Sequence, residues 1–477
     1  MEIILRDYQL NSINALRGAM KEKLNKLILC APTGAGKTVM FSYICSNAIS
    51  KGKKCLILSH RAELLNQSGG SLSNFGVKAI SIKGSEKIHT FKHDCYVAMA
   101  QTIVRRINKP EYIDFLLSFD IVIIDECHEQ VFNKILRLFR DDCYVLGFTA
   151  TPERKSNQVS LDAFYQKLIE GVKVNYLIEN GYLARPITYG IDTDLKGIKI
   201  KGGDYDEQQV GKRFDDIKLF EGVYENYMKI TPGKKAIIFS SSIESSLRIV
   251  NEFENRELPI KHIDANTKAN ERTNILQWFK NTPNALLSNC GILTTGFDEP
   301  TIEVVILYRA TKSISLFKQM CGRGSRRCPA KDNFYILDFG NNIKTHNFWE
   351  HDTKWSLKKK KKREGIAPVK DCPNCHALLS ISVNPCNFCG YEFELTKKEI
   401  KEKVIAELQL LSYNQIKERV SVADFQGLHD IAEAKGFKKG WIYHQLSDEE
   451  QIRKYAAWKG YKEGWISHQL NQRQNAE

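Results

Sequence analysis

Short, almost uninterrupted apolar runs recur along most of the chain, with charged amphipathic stretches between them. Leu27–Cys30, Cys55–Ser59, Tyr96–Ala98, Ile121–Asp125 and Tyr144–Thr149 are such runs, and segments such as Thr38–Ser50 and Arg61–Phe75 are helix-like. Strands apolar on both faces belong inside a parallel sheet covered by helices, so the alternation predicts a doubly wound α/β domain. A second series begins at Ala236 and continues through Lys261–Asp264, Ala285–Ser288, Val304–Tyr308 and Phe334–Asp338. The polar, Gly-rich stretch Asp192–Asp216 reads as the connection between two domains. After Asp338 the rhythm stops. The expected organisation is a first α/β domain over 1–190, a connection over 191–217 and a second α/β domain over 218–345. A basic linker over 346–370, a metal ribbon over 371–394 and a helical tail over 395–477 follow.

Composition refines this picture. A chain of 477 residues exceeds one hydrophobic core, and no run approaches the roughly twenty apolar residues that span a bilayer. The opening MEIILRDYQL lacks a basic segment followed by an apolar stretch, so no signal peptide is expected. A formal charge of +14 favours a polyanionic partner. Of thirteen cysteines, four cluster and the rest are scattered singly, a pattern of a reducing, cytoplasmic protein rather than a disulfide framework.

Three segments carry the chemistry. In Ala31–Thr38 (APTGAGKT), between strand Leu27–Cys30 and a helix, Gly34 and Gly36 let the backbone turn N–H groups toward phosphate oxygens. Pro32, Thr33 and Ala35 complete the loop, Lys37 is expected to reach the β- and γ-phosphates of ATP, and Thr38 to ligate Mg²⁺. Ala31 stands where the general pattern has glycine. Asp125–His128 (DECH) follows strand Ile121–Ile124, so its acids sit at a strand's carboxyl end. Asp125 is the expected Mg²⁺ ligand, Glu126 the base that activates water, and Cys127 a structural residue. Gln319–Arg326 (QMCGRGSR) sets Arg323 and Arg326 on one helical face, as arginines acting on the γ-phosphate from a second domain.

With these motifs the chain resembles the superfamily 2 helicases and translocases over about residues 1–345, which implies two tandem RecA-like domains. The resemblance implies further roles. In LRDYQ, Gln9 would read the adenine, with Arg6 beside it. In LSHRAELLNQ and AQT, His60, Arg61, Gln101 and Thr102 would grip a nucleic-acid strand. Thr149 and Thr151 of GFTATPER would couple the ATP state to the nucleic-acid grip, and with Ser240 of AIIFSSS they are counted among the nucleic-acid-binding residues. In LLSNCGILTTGFDEP, Thr294 and Thr295 would touch the backbone, and Gly296 and Asp298 the nucleotide. The TATPER and QMCGRGSR forms resemble the DNA-tracking branch, which includes repair helicases, restriction motors and phage branch-migration helicases. The expected function is ATP-driven unwinding or remodelling of duplex, forked or branched DNA. The alternatives are an RNA helicase and the motor subunit of a restriction system.

Cys372-x₂-Cys375 and Cys386-x₂-Cys389 suit four thiolates around a structural Zn²⁺, with Gly390 in the turn after the last ligand. The run Lys358–Arg363 beside them is a solvated linker or a phosphate contact. In the tail, Ala432–Leu446 recurs as Ala456–Leu470. Each copy predicts a helix ending near Gly436 or Gly460 and a second helix opened by Gly-Trp-Ile. Phe437, Trp441, Tyr461 and Trp465 are read as core residues of this short helical repeat module, the alternative being a base-stacking face with Lys438, Lys439, Lys459 and Lys462.

Overall fold

A computed structural model describes residues 4–60, 62–84, 92–154, 158–191, 195, 197–214, 217–294, 296–358, 369–393, 425 and 449–474. Residues 1–391 form one compact unit and 392–477 another.

The first sheet is built from β1 (Lys26–Cys30), β2 (Cys55–Ser59), β3 (Ile80–Ile82), β4 (Cys95–Met99), β5 (Ile121–Asp125), β6 (Tyr144–Thr149) and β7 (Lys167–Glu170). Their order is β3–β4–β2–β5–β6–β1–β7, with every neighbouring pair parallel. Because β5, β6 and β1 lie side by side, with Asp125 opposite Phe148 and Cys30 opposite Thr149, the loops leaving their carboxyl ends meet at one place. Cores of Leu, Ile, Val and Phe fill both faces, as continuous apolar strands require.

The second sheet contains β8 (Arg185–Gly190), β11 (Ala236–Ser240), β12 (Ile260–Ile263), β13 (Leu286–Asn289), β14 (Val304–Tyr308) and β15 (Asn333–Asp338). It runs β12–β13–β11–β14–β15–β8, again parallel throughout. Between β8 and β11 lies the hairpin β9 (Ile200–Lys201) and β10 (Asp204–Tyr205).

Three boundaries differ from the sequence reading. The strand β8 ends at Gly190 yet pairs along β15, so the second sheet takes its edge from the stretch read as the first domain. Pro186 fits an edge, where a missing N–H costs no ladder bond. The stretch read as a connection holds the hairpin and the helix Glu207–Phe214, whose Val210 and Phe214 enter the second core.

The stretch read as a basic linker also begins inside the fold. Trp349 is 2 % exposed, and its indole N–H donates to the Lys318 carbonyl at 3.0 Å. The Lys318 ammonium in turn donates to the carbonyls of Trp349 and His351. The chain then returns to the first lobe, where Asp352 pairs with Lys173 at 3.0 Å and the Leu357 carbonyl accepts from Ser160 at 2.8 Å. Beyond Lys358 the basic run lies outside the described residues.

In the ribbon, β16 (Val369–Asp371) pairs antiparallel with β17 (Leu378–Ser380). Leu378 packs on β8, where a β-carbon at Gly190 would stand 2.5 Å from its Cδ1. In the second unit, the helix Glu449–Lys459 ends at Gly460 with φ +72°. There the Tyr461 N–H reaches Ala456 O and the Gly460 N–H reaches Ala457 O, a paired bonding that closes a helix with a left-handed residue. The helix Glu463–Gln474 follows, with Tyr455 and Ile466 buried and Trp465 against them. Tyr461 is 38 % exposed and sits at the rim of this core. The first copy of the repeat, with Phe437 and Trp441, lies outside the described residues. Among the described residues no helix is long and apolar enough to cross a membrane.

Candidate functional site

The first motif leaves β1 and wraps into the helix Lys37–Ile49, tied to β6 by the Ala31 N–H on the Thr149 carbonyl at 3.0 Å. Gly34 and Gly36 have φ of +90° and +78°, a region closed to most side chains. Close packing adds a second reason for glycine, since β-carbons there would stand 2.6 Å from Leu183 Cδ2 and 2.4 Å from Gln9 Nε2. The Lys37 ammonium donates to the Ala31 and Pro32 carbonyls at 3.1 and 3.3 Å, poised over its own loop. Gln9 braces that loop, donating to Ala35 O at 3.2 Å and accepting from the Arg6 N–H at 3.0 Å. The Arg6 guanidinium lies 4.4 Å from the centre of the Tyr182 ring.

Asp125 closes β5 and is 5 % exposed. Burial and then the charge of Glu126 push its carboxyl up to about 7, against the pull of Lys37. Glu126 sits at φ +51°, in the left-handed region. Burial raises its carboxyl as well, but Lys37, His128, His60 and the Thr149 hydroxyl together bring it below the usual range. The turn thus presents an anionic Glu126 beside a buried Asp125 next to a lysine, a donor set that suits a divalent cation and phosphate oxygens. Cys127 is fully buried, its thiol held well above the ordinary value by burial, and packs where a β-carbon on Gly147 would stand 2.6 Å from its sulfur. It is a packing residue, as its sequence context predicts.

A hydrogen-bonded relay extends from Glu126. The Thr149 hydroxyl donates to Glu126 Oε2 at 3.2 Å, accepts from the Thr151 N–H at 3.0 Å, and lies 2.8 Å from His128 Nδ1. Its single proton is given to Glu126, so the His128 contact requires the proton on Nδ1. Arg154 fixes this corner by donating to the His128 carbonyl at 2.9 Å. The Thr151 hydroxyl then crosses to the second lobe and meets Ser315 Oγ at 2.6 Å. The sequence reading assigned nothing to His128 or Ser315. The former lay inside a quoted motif, whereas the latter shows no signal beyond a Ser-rich helix start.

Ser315 belongs to the helix Ile314–Cys321, whose N-cap Ser313 accepts from the Leu316 N–H at 3.2 Å. The helix leads to the third motif, which lies against the first. A β-carbon on Gly322 would come 2.9 Å from Thr33 Cβ, and Arg326 Cδ is 3.9 Å from the β-position of Gly34. The Arg326 Nε pairs with Asp298 at 3.1 Å, and Arg323 donates to the Phe297 carbonyl. Gly296, with φ +76°, opens the turn that carries both partners. A buried cation fastens the two segments. The Lys331 ammonium, pushed by burial down to about 8, donates to Pro300, Ile302 and Gly324 carbonyls at 2.6, 2.6 and 2.9 Å. Lys331→Met leaves these carbonyls without their donor and is expected to cost about 2–4 kcal/mol. Thermal unfolding would show it as a fall of several degrees, and an unchanged midpoint would contradict it.

Several residues expected on a nucleic-acid strand are placed differently. Thr102, Thr149, Thr151, Ser240 and Thr294 are 6, 0, 1, 0 and 7 % exposed. Thr149 and Thr151 serve the relay, and Ser240 lies 3.4 Å from the Ser288 hydroxyl inside the second sheet. The hydroxyls of these three meet interior groups, and all five residues are buried in this arrangement. Gln101 donates to the His60 carbonyl at 2.8 Å, bracing the loop after β2. Arg61 and Thr295 lie outside the described residues.

The four ribbon sulfurs all lie within 4.8 Å of one another, with Cys372–Cys389 at 3.5 Å and Cys375–Cys386 at 3.8 Å. Zn–S bonds of about 2.3 Å in a tetrahedron need sulfurs about 3.8 Å apart, so the cluster fits Zn²⁺. Both short contacts cross between the two Cys-x₂-Cys segments, and each segment folds into the same kind of knuckle. The His376 N–H bonds to Cys372 O at 2.8 Å and the Gly390 N–H to Cys386 O at 2.9 Å, with His376 and Gly390 at φ +58° and +74°.

The family described as "Type III restriction enzyme, res subunit" matches residues 2–154, and "Helicase conserved C-terminal domain" matches 218–328. A 51.5 kDa protein of a Lactococcus phage is 32% identical over 85% of this chain and 88% of its own. A Saccharomyces cerevisiae protein whose name proposes it as an ATP-dependent helicase, IRC3, is 30% identical over 70% of this chain, which spans only 51% of it. The solved ATP-dependent Type ISP restriction-modification enzyme LlaBIII bound to DNA shares the fold, with a TM-score of 0.50 and 20% identity over 70% of this chain and 27% of that one. Matched in both lobes, and with the three motifs gathered at one cleft, the chain belongs to the superfamily 2 helicases, on their restriction-motor and repair-helicase-like branch, and hydrolyses ATP in dependence on nucleic acid.

Proposed function

We propose that this ATPase moves along DNA and remodels duplex, forked or branched substrates. The observation that carries the reading is the placement of Arg326 and Gly322 against Gly34 and Thr33, with Thr151 bonded to Ser315. Hydrolysis at a cleft whose two walls come from different lobes is coupled to their closure. Lys37 and the N–H groups of 33–38 hold the phosphates, Asp125 and Thr38 would hold Mg²⁺, and Glu126 takes the proton of the attacking water. Mg²⁺, when bound, supplies charge compensation to the phosphate oxygens. Arg326 approaches from the second lobe and stabilises the charge that develops on the transferred group. The relay Glu126–Thr149–Thr151–Ser315 carries the state of this site to the second lobe.

The restriction family matched by the first lobe and the DNA-bound fold relative support DNA as the track. The test is steady-state ATP hydrolysis with single-stranded, duplex, forked and four-way-junction DNA and with matched RNA. Stimulation by RNA alone would overturn the assignment. Glu126→Gln is expected to lower kcat by about 10²–10⁴-fold while nucleotide still binds, because only proton transfer is removed. Phosphate release measured beside nucleotide affinity checks this, and a wild-type kcat would remove Glu126 from the role.

A further inference from the structure

The hairpin β9–β10 is a ribbon of two residue pairs that joins neither main sheet. Gly202 and Gly203, at φ +62° and +88°, close it as the tightest hairpin turns require. Such a ribbon is marginal by itself, so something must hold it. Its root is held at several points. The Asp204 carboxylate accepts from the Thr311 hydroxyl and the Lys312 N–H, both at 2.5 Å. The Lys312 ammonium lies 5.1 Å from the Tyr205 ring centre. The Lys199 N–H reaches Gln209 at 2.9 Å, and Ile198 packs on the second core.

What this root presents is Lys199, Ile200, Lys201 and Gly202, all exposed, with Ile200 at 51 %. Ile200, opposite Tyr205 in the ribbon, is thus held out between two lysines. Among the described residues, the acids that follow the tip are engaged elsewhere. Asp204 holds the root, Asp206 caps the following helix through the Gln209 N–H, and Glu207 faces Arg309 at 3.5 Å. The tip is therefore cationic and apolar, chemistry that suits a phosphate backbone with a sugar or base edge between contacts.

The root also has an inward connection. The Thr311 hydroxyl that donates to Asp204 accepts from the Ser313 N–H at 3.0 Å. Ser313 caps the helix that presents Ser315 to Thr151 and ends at the arginine motif. From Asp204 to Glu126, the path consists of hydrogen bonds of 2.5 to 3.2 Å and one helix start.

We propose that this hairpin contacts the nucleic-acid strand, Lys199 and Lys201 on phosphates and Ile200 between them, with Asp204 as the positioning residue that links the contact to the ATP site. The proposal rests on the nucleic-acid-dependent ATPase reading and adds the surface that senses the strand. The experiment uses the full chain and a fluorescein-labelled forked DNA, followed by anisotropy over a range of salt and, separately, by ATP hydrolysis. The double variant Lys199→Ala/Lys201→Ala should weaken binding about tenfold and flatten the log–log salt dependence by about 1.4 to 1.8. Asp204→Asn should instead lower the maximal stimulated rate severalfold, with the half-stimulating DNA concentration changed little. Because the lysines are exposed, an unchanged unfolding midpoint shows that the double variant is folded. Wild-type affinity and salt slope in that variant would overturn the proposal and leave the tip as a surface for a protein. A wild-type chain that binds the fork without stimulation would count against the motor reading alone, since the anisotropy still decides the hairpin.

Discussion

Arg326→Ala is expected to lower nucleic-acid-stimulated ATP turnover by about 10³–10⁵-fold while ATP affinity changes little. The expectation follows from where the side chain starts. Its Cδ stands 3.9 Å from the β-position of Gly34, and its guanidinium is aimed by Asp298 at 3.1 Å. Leu183 bridges to the Arg326 backbone and also fills the space beside Gly34, so the arginine is fixed to the loop it serves. A charge delivered from the second lobe acts on the transition state more than on bound ATP, which places the loss in kcat rather than in binding. Arg326→Lys should recover little, because an ammonium lacks the planar fork that both Asp298 and a phosphoryl group engage. Single-turnover hydrolysis alongside a nucleotide-binding titration separates these effects. An alanine variant that retains wild-type turnover would remove Arg326 from the reaction.

The parts of the fold legible in the sequence were those whose physics is local. Inner strands such as β2 and β14 are buried at every position, so their continuous apolar runs declare them. The edge strand β8 (RPITYG) has mixed burial and a proline, and nothing in six residues tells which sheet it will join. Catalytic motifs were legible because phosphate binding dictates glycines, a lysine and paired acids at fixed spacing. The hydroxyl residues were not, because register decides whether a threonine at a strand end faces a strand of DNA or the neighbouring loop. Thr149 and Thr151 face inward. Buried lysines were equally invisible. Nothing local in the sequence marks Lys318 and Lys331, whose burial depends on backbone carbonyls folded around them. Trp349 looked like linker for the complementary reason, since its partner Lys318 lies 31 residues earlier.

Removing the metal from the ribbon should unfold residues 369–391 while both lobes stay folded. The ribbon buries few apolar side chains, chiefly Ala377, Leu378 and Leu379, and its sheet has two short strands. That is too little to offset chain entropy, whereas a tetrahedral Zn²⁺ site supplies apparent binding of about 10–16 kcal/mol. A mercurial titration should release a single Zn²⁺ per chain, after which limited proteolysis should cut within the ribbon first. Cys386→Ser should give the same cleavage without the titrant. The second lobe should register the loss, because Leu378 covers the β8 edge at Gly190 and, among the described residues, no strand pairs with β8 on that side of the sheet. Its unfolding midpoint should fall by a few degrees, more than that of the first lobe, whose sheet the ribbon does not border. Chelation that leaves the cleavage pattern unchanged would mean that the ribbon holds its fold by packing on β8, and that the four thiols are not what keeps it in place.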